Sequence, residues 1–213
     1  MVTLNANLID GSAWGAAEPA DGEVTMETPA HRPYRHGDLP NAMRSAARAI
    51  LDEGGPDTVG LRETARRVGV SATAAYRHFA SKEDLLASVA AEGFRELQEH
   101  MEAALDEQAP LASLGLAYVD FAQQKRGLFR LMFGPVLAER ARYPQLDEAA
   151  QAAFGLLERA ADKGSNSHSP EAVGGWALVH GLASLTVDGL IPKSHVHELT
   201  EEILRARAAK KVN

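Results

Sequence analysis

The chain has 213 residues, 45% of them hydrophobic, a formal charge of −7 and no cysteine, which is enough for one large or two small globular domains. The lack of cysteine excludes disulfide scaffolds, thiolate zinc sites, cysteine nucleophiles and thiol redox sensing. Ala172 to Val187, an uncharged run of sixteen residues, contains His180 and three glycines and is too short and too polar for a bilayer span, and Met1 to Ala30 has no Lys or Arg to open a secretory signal, so a cytoplasmic protein away from membranes is expected.

A net negative charge argues against a nucleic-acid partner, but its distribution does not. Residues 1–30 carry five acids and no bases (−5), residues 31–82 nine bases and five acids (+4), and residues 83–213 thirteen bases and nineteen acids (−6). The first segment is rich in Ala, Gly, Asp, Glu, Thr and Pro without apolar periodicity, the composition of a disordered acidic tail. From Asp38 onward Leu39, Met43, Ala46, Ala47, Ile50 and Leu51 recur at helical spacing, and Gly54-Gly55-Pro56 ends that first helix. A short second helix starts near Gly60, with Leu61, Ala65 and Val68 inward and Glu63 in its first turn, and closes at Gly69. Ser71 is the N-cap of a third helix running towards Phe79, and Ser81 to Asp84 forms a capping box for a fourth. Two short helices joined by a tight glycine turn make a helix-turn-helix pattern.

The fourth helix is expected to run from Lys82 towards Glu107, with Leu86, Val89, Leu97, Met101 and Leu105 on its inner face, about 37 Å at 1.5 Å per residue. Beyond Pro110, Leu111, Leu114, Tyr118 and Phe121 mark a fifth helix, and Leu128 to Phe133, stopped by Gly134-Pro135, a sixth. Leu146, Ala150, Ala153, Leu157 and Ala160 mark a seventh, ended by Lys163-Gly164. Ser169-Pro170 opens an eighth that reaches about Ile191, and Val196, Leu199 and Ile203 form the stripe of a last one. No period-two alternation occurs. The expected fold is all-α, with about nine helices: a three-helix helix-turn-helix domain followed by a helical bundle.

The run Gly69-Val-Ser71-Ala-Thr-Ala-Ala-Tyr76-Arg-His78-Phe79-Ala-Ser81-Lys82 resembles the DNA-binding signature of the TetR family of transcriptional regulators, and the likeness extends over about residues 35 to 90. It implies that the third helix lies in the major groove of double-stranded DNA, with Ser71, Ala72, Thr73 and Arg77 facing base edges or their surroundings. By position in the motif, Tyr76, His78 and Lys82 look like phosphate contacts, and Arg62 matches a DNA-touching position where a guanidinium reads a guanine or clamps a phosphate. His31, Arg32, Arg35 and His36 form a basic arm ahead of the first helix. Packing alone is the other reading of Tyr76, and Arg44, Arg48, Arg66 and Arg67 read as ordinary solvated helix faces. The sequence departs from the family's usual pattern at Gly60, where Ser or Thr is common, and at Ala75, where a larger residue or proline is common.

Trp176-Ala-Leu-Val-His180-Gly181 resembles the Trp, His, Gly pattern of the WHG-type C-terminal domain of some TetR relatives, and implies a ligand-sensing, dimerising domain. The organisation implied is a tail at 1–30, a DNA-binding domain at 31–90 and a ligand-binding and dimerisation domain at 91–213. Trp176 and His180, four apart on one helix face, are candidates to line an effector pocket with Phe121, Phe129, Met132 and Phe133, and Gly181 admits a close helix. Core packing is the other reading of those six residues. The eighth helix, apolar nearly all round, and the stripe of the ninth suggest a homodimer through the last two helices, unless the eighth is simply the centre of the core.

No nucleophile elbow, dinucleotide fingerprint, P-loop or zinc-protease motif is present, and His195 and His197 point apart on a helix, so neither catalysis, a cofactor nor a metal is expected. The sequence thus implies a ligand-responsive, homodimeric regulator, with a repressor on a palindromic operator as its form. The competing class is an all-helical small-molecule binding or scaffold protein that does not engage DNA.

Overall fold

The computed structural model describes residues 38–161 and 169–210. Among these there are nine α-helices, three short 3-10 turns and no strand. The acidic tail, the basic arm His31 to His36 and the Lys163-Gly164 stop lie outside the described residues.

Helix α1 spans Leu39–Gly54, and the Asp38 carboxylate caps it by accepting from the Asn41 N–H at 3.2 Å. A 3-10 turn at Pro56–Thr58 leads to α2, Leu61–Val68, which starts on Gly60 without a side-chain cap. Thr64 is buried there and its hydroxyl donates to the Gly60 carbonyl at 2.8 Å. Ser71 caps α3, Ala72–Tyr76, by accepting from the Ala74 N–H at 3.2 Å. The α3 helix is shorter than its sequence suggests, because the His78 and Phe79 N–H groups both turn back to the Ala75 carbonyl. Ser81 then caps α4, Lys82–Ala103, through the Asp84 N–H, and the Asp84 carboxylate reaches back to the Ala80 N–H at 3.0 Å.

At 22 residues α4 is about 33 Å long, and it stops short of the expected Glu107. The chain turns where Ser113 Oγ accepts from the Asp106 N–H, which leaves Leu105 outside the helix and 47% exposed. The α5 helix, Pro110–Gln124, and α6, Arg126–Phe133, are followed by 3-10 turns at Pro135–Leu137 and Arg140–Arg142. Then come α7, Pro144–Ala161, α8, Pro170–Val187, and α9, Lys193–Lys210. The α8 helix ends four residues before the expected Ile191. Gly189 takes φ +78°, a left-handed conformation open to glycine, and the Gly189 and Leu190 N–H groups close onto the Thr186 and Leu185 carbonyls.

The described residues belong to one compact unit. The long α4 packs most extensively on α7, while α5 lies against α8 and α9. Met43, Leu51, Leu85, Leu86, Leu97, Tyr118, Phe121, Leu131 and Met132 are the large side chains at its centre. In α9, Val196 and Leu204 are buried in the chain's own core and Leu199 and Ile203 are half-covered, so the expected apolar stripe is largely occupied within one subunit. A Cβ at Gly181 would meet open space, with no described residue outside its own helix within 4 Å of it.

The α6 helix joins the two ends of the molecule. A Cβ at Gly127 would stand 2.8 Å from the Leu51 carbonyl oxygen, so only glycine lets α6 approach the end of α1 this closely. At its other side Arg126 and Arg130 both donate to the Val187 carbonyl at the end of α8.

Candidate nucleic-acid interface

Ala75 and Phe79 are buried and hold α3 against α2, with Val70 half-covered beside them. Full burial of Ala75 explains the small residue at that position: a larger side chain has no space there. The opposite face of α3 is open. Thr73, Arg77 and His78 are exposed, Tyr76 is 48% exposed, Ala72 is half-covered, and Arg62 lies exposed at the start of α2. Packing alone does not account for a tyrosine so uncovered. Ser71 accepts the capping bond, which leaves its O–H free to donate.

The arginines of this half fall into two groups. Arg44 pairs with Glu92 and Arg48 with Glu96, clipping α1 to α4, and Arg67 bridges Glu53 at 2.7 Å and Glu63 at 3.2 Å. Arg66 also holds Glu63 at 2.7 Å, and the two guanidinium groups bring the Glu63 pKa down to about 2. These four are paired rather than simply solvated, so their charge is already matched. Among the described residues, Arg62 and Arg77 pair with no carboxylate, and Lys82 Nζ donates only to the Asp57 backbone carbonyl, at 3.3 Å. Among the described residues of the +4 segment, the uncompensated cations are therefore Arg62, Arg77 and Lys82, on α2, at the end of α3 and at the start of α4. The lysine stands in the first turn of α4, where the helix dipole also favours an anion.

Glu96 is shared. Arg48 from α1 and Lys125 at the end of α5 both hold its carboxylate. Burial pushes the Glu96 pKa up most strongly, yet the two cations together outweigh it and hold the carboxyl below its usual value.

In the C-terminal part, His180 sits in an aromatic cage, its ring centroid 4.6 Å from Phe133, 5.4 Å from Trp176 and 5.5 Å from a stacked Phe129. The Tyr118 hydroxyl lies 2.9 Å from His180 Nδ1, and Ser184 Oγ lies 3.4 Å from Nε2. Burial first, then the positive Arg140, hold His180 below its usual pKa, so the imidazole is neutral. Burial likewise pushes the Tyr118 phenol far up and keeps it protonated, against the smaller opposing influence of neighbouring Trp176 and Arg140.

Two hollows flank Phe133. One, of about 680 Å³, is a crevice bordered by the single run Phe133 to Ala141. The other, of about 390 Å³, is walled by α6, the Pro135 turn, the end of α8 and, from the turn between α1 and α2, Pro56 and Asp57. Although smaller, it gathers side chains from four elements, the construction expected of a ligand site. Of the sequence candidates, Phe129, Phe133 and His180 line it. Phe121 and Met132 are core residues away from it, and Trp176 packs edge-on to Phe154. No local pattern marks Ser184, Arg130, Pro56 or Asp57 as wall residues. Among the described residues no cluster of three or more His, Asp or Glu is placed to hold a metal, and no helix is long and apolar enough to cross a membrane.

No curated protein matches the chain. A protein of unknown function from Rhodococcus sp. RHA1 is 30% identical with TM-score 0.68, over 82% of this chain and 96% of that one. The fold is shared with the TetR-family transcriptional regulator PfmR of Thermus thermophilus, at 20% identity and TM-score 0.53 over 76% and 94% of the two chains. It is shared too with the fatty acid degradation regulator FadR of Bacillus halodurans, at 15% identity and TM-score 0.57 over 81% and 95%. Residues 44–89 match the family model described as bacterial regulatory proteins, tetR family, and residues 111–206 match that of a tetracyclin repressor-like C-terminal domain. With an open helix-turn-helix face and family matches in both halves, the chain belongs to the TetR family of transcriptional regulators.

Proposed function

We propose that the chain is a cytoplasmic, non-catalytic repressor that binds a palindromic operator as a homodimer and leaves it when a small molecule fills the C-terminal half. In this reading residues 31–90 are the DNA-binding domain and residues 91–213 the ligand-binding and dimerisation domain. The observation that carries it is the sorting of charge: among the described residues up to Lys82, Arg44, Arg48, Arg66 and Arg67 are paired, while Arg62, Arg77 and Lys82, with exposed Thr73, Tyr76 and His78, are left for an anion. Two recognition helices on a two-fold axis fit half-sites about 34–36 Å apart or a multiple of that. An exposed row on α8, Val173, Ala177 and Leu185 around the open Gly181, supports a second subunit against this helix. The effector changes the spacing of the two heads by its differential affinity for the two arrangements.

Selection of bound duplexes from a random library at controlled salt tests the reading. A two-fold-symmetric site is expected. Lys82→Ala weakens binding to every sequence and lowers the salt slope by about one unit per subunit, whereas Thr73→Ala alters base preference. A Lys82→Ala protein with changed preference and an unchanged slope reverses those roles, and absence of any selected duplex overturns the reading in favour of a non-DNA-binding helical protein.

A further inference from the structure

The hollow at the seam between the two halves has one wall that belongs to the DNA-reading half. Pro56 and Asp57, in the 3-10 turn between α1 and α2, face Phe129 and Phe133 of α6 and His180 and Ser184 of α8 across about 390 Å³, a volume in the small-ligand range of about 300–1,000 Å³. The same Asp57 presents its backbone carbonyl to Lys82 Nζ. We propose that this hollow is the effector site, that it takes an uncharged, mostly apolar molecule bearing an acceptor oxygen such as a ketone, and that the bound molecule acts by direct contact on the Pro56-Asp57 turn. The inference rests on the reading of the chain as an effector-controlled DNA-binding protein.

The polarity of the ligand follows from the hydrogen-bond chain behind the cage. Tyr118 is buried, and among the described residues His180 Nδ1, 2.9 Å away, is the hydrogen-bond partner of its hydroxyl, so the phenol proton goes to Nδ1 rather than being left buried without an acceptor. A neutral imidazole accepting at Nδ1 carries its proton on Nε2, the nitrogen beside Ser184. The 3.4 Å separation makes that a weak bond, so an N–H and a hydroxyl stand together with donor capacity to spare in a wall that is otherwise mostly aromatic and aliphatic. A ligand carbonyl satisfies both. An anion is disfavoured, since Arg130 is already held by Asp188 at 3.1 Å and by the Val187 carbonyl, while Asp57 and Asp188 both border the hollow.

Transmission follows from the stiffness of the turn. Thr58 Oγ1 donates to the Gly55 carbonyl at 2.8 Å, and Val59 behind it is buried in the core, so the turn responds to pressure as a unit. Its displacement moves the carbonyl that holds Lys82 and the start of α2, which carries Arg62.

The cysteine-free chain permits a test that needs no knowledge of the natural effector. N-phenylmaleimide, small, uncharged and bearing two carbonyls, is attached to Ser184→Cys, with Val136→Cys at the rim of the hollow as a second attachment point. Each labelled variant is compared with the same variant unlabelled, by hydrogen exchange over residues 56–60 and by affinity for a mixed-sequence duplex. Labelling is expected to alter exchange in that turn and to weaken duplex binding about tenfold through loss of the Lys82 contact in each subunit. Unchanged exchange in both variants overturns the inference, as does altered exchange with undiminished affinity. Altered exchange in a protein that binds no duplex before labelling supports the contact and refutes the DNA-binding reading instead.

Ligand chemistry is tested with 4-phenylbutan-2-one, butylbenzene and 4-phenylbutanoate, followed by the His180 nitrogen resonances. The ketone should bind about tenfold more tightly than the hydrocarbon, the worth of one well-made hydrogen bond, and His180→Phe should abolish that preference. Tighter binding of the carboxylate, a preference that survives His180→Phe, or failure of all three at millimolar concentration overturns the assignment.

Discussion

Gly127→Ala sets two known effects against each other at one atom. In an ordinary helix the change is favourable by about 1 kcal/mol, because alanine restricts the unfolded chain and glycine does not. Here the added methyl meets the Leu51 carbonyl oxygen at 2.8 Å and its carbon at 3.2 Å, against an ordinary contact distance of 3.4 Å. Backbone cannot rotate away as a side chain does, so α1 and α6 must part by roughly 0.6 Å, the difference between 3.4 and 2.8 Å. Overpacking of this kind costs about 1–3 kcal/mol, which leaves a net loss of about 1 kcal/mol and a melting temperature lower by about 2–4 °C for a chain of this size. Gly155→Ala in α7 is the control, since its added methyl meets only the flexible end of Arg159 at 3.2 Å. Differential scanning calorimetry of both variants reads the comparison. If Gly127→Ala melts at or above Gly155→Ala, the close approach of α6 to α1 is wrong and the route between the two halves fails with it.

Three further outcomes follow from single side chains. Ser71→Ala removes the cap of α3 and should cost about 1 kcal/mol in thermal or urea unfolding, and a loss below a few tenths would mean that the Ala74 N–H finds another partner. Because the Glu96 pKa is depressed in the folded chain, its contribution to stability is fully present above 4.5 and is lost as pH falls through the lower folded value; Glu96→Gln should flatten that part of the stability profile, and an unchanged acid limb in urea titrations contradicts the Arg48 and Lys125 pairing. His180 behaves likewise for a base: its folded pKa lies below 6.5, so stability falls as pH drops from 6.5 through that value, and an imidazole resonance titrating above 6.5 would refute the neutral, caged histidine.

Local signals in the sequence located the helices well. Ser71, Ser81 and Ser169 cap the helices they were expected to cap, because an N-cap acts within three residues, and Asp38, not singled out beforehand, caps α1 in the same way. Helix ends that depend on the following backbone were less legible: Gly189 stops α8 early, and the turn at Asp106 stops α4. The two wall residues Pro56 and Asp57 could not be read at all, since they meet His180 only when α6 brings both halves together. Charge was misleading in a similar way. Summed along residues 31–82 it marked the helix-turn-helix segment as basic, but the carboxylates that neutralise Arg44 and Arg48, Glu92 and Glu96, lie beyond that segment on α4. Nothing in local periodicity distinguishes a paired arginine from a free one.

The short α3 has a consequence for how such a protein diversifies. Its hold on the fold passes through Ala75 and the flanking Val70 and Phe79, while Thr73, Tyr76 and Arg77 rest on little beneath them. Exchanges on the open side therefore cost little stability, typically within about 0.5 kcal/mol at an exposed position. If α3 reads DNA as proposed, a duplicated copy of the gene can acquire a new target sequence by a few such changes without first acquiring a more stable scaffold, so preference for DNA can drift while the rest of the fold stays as it is.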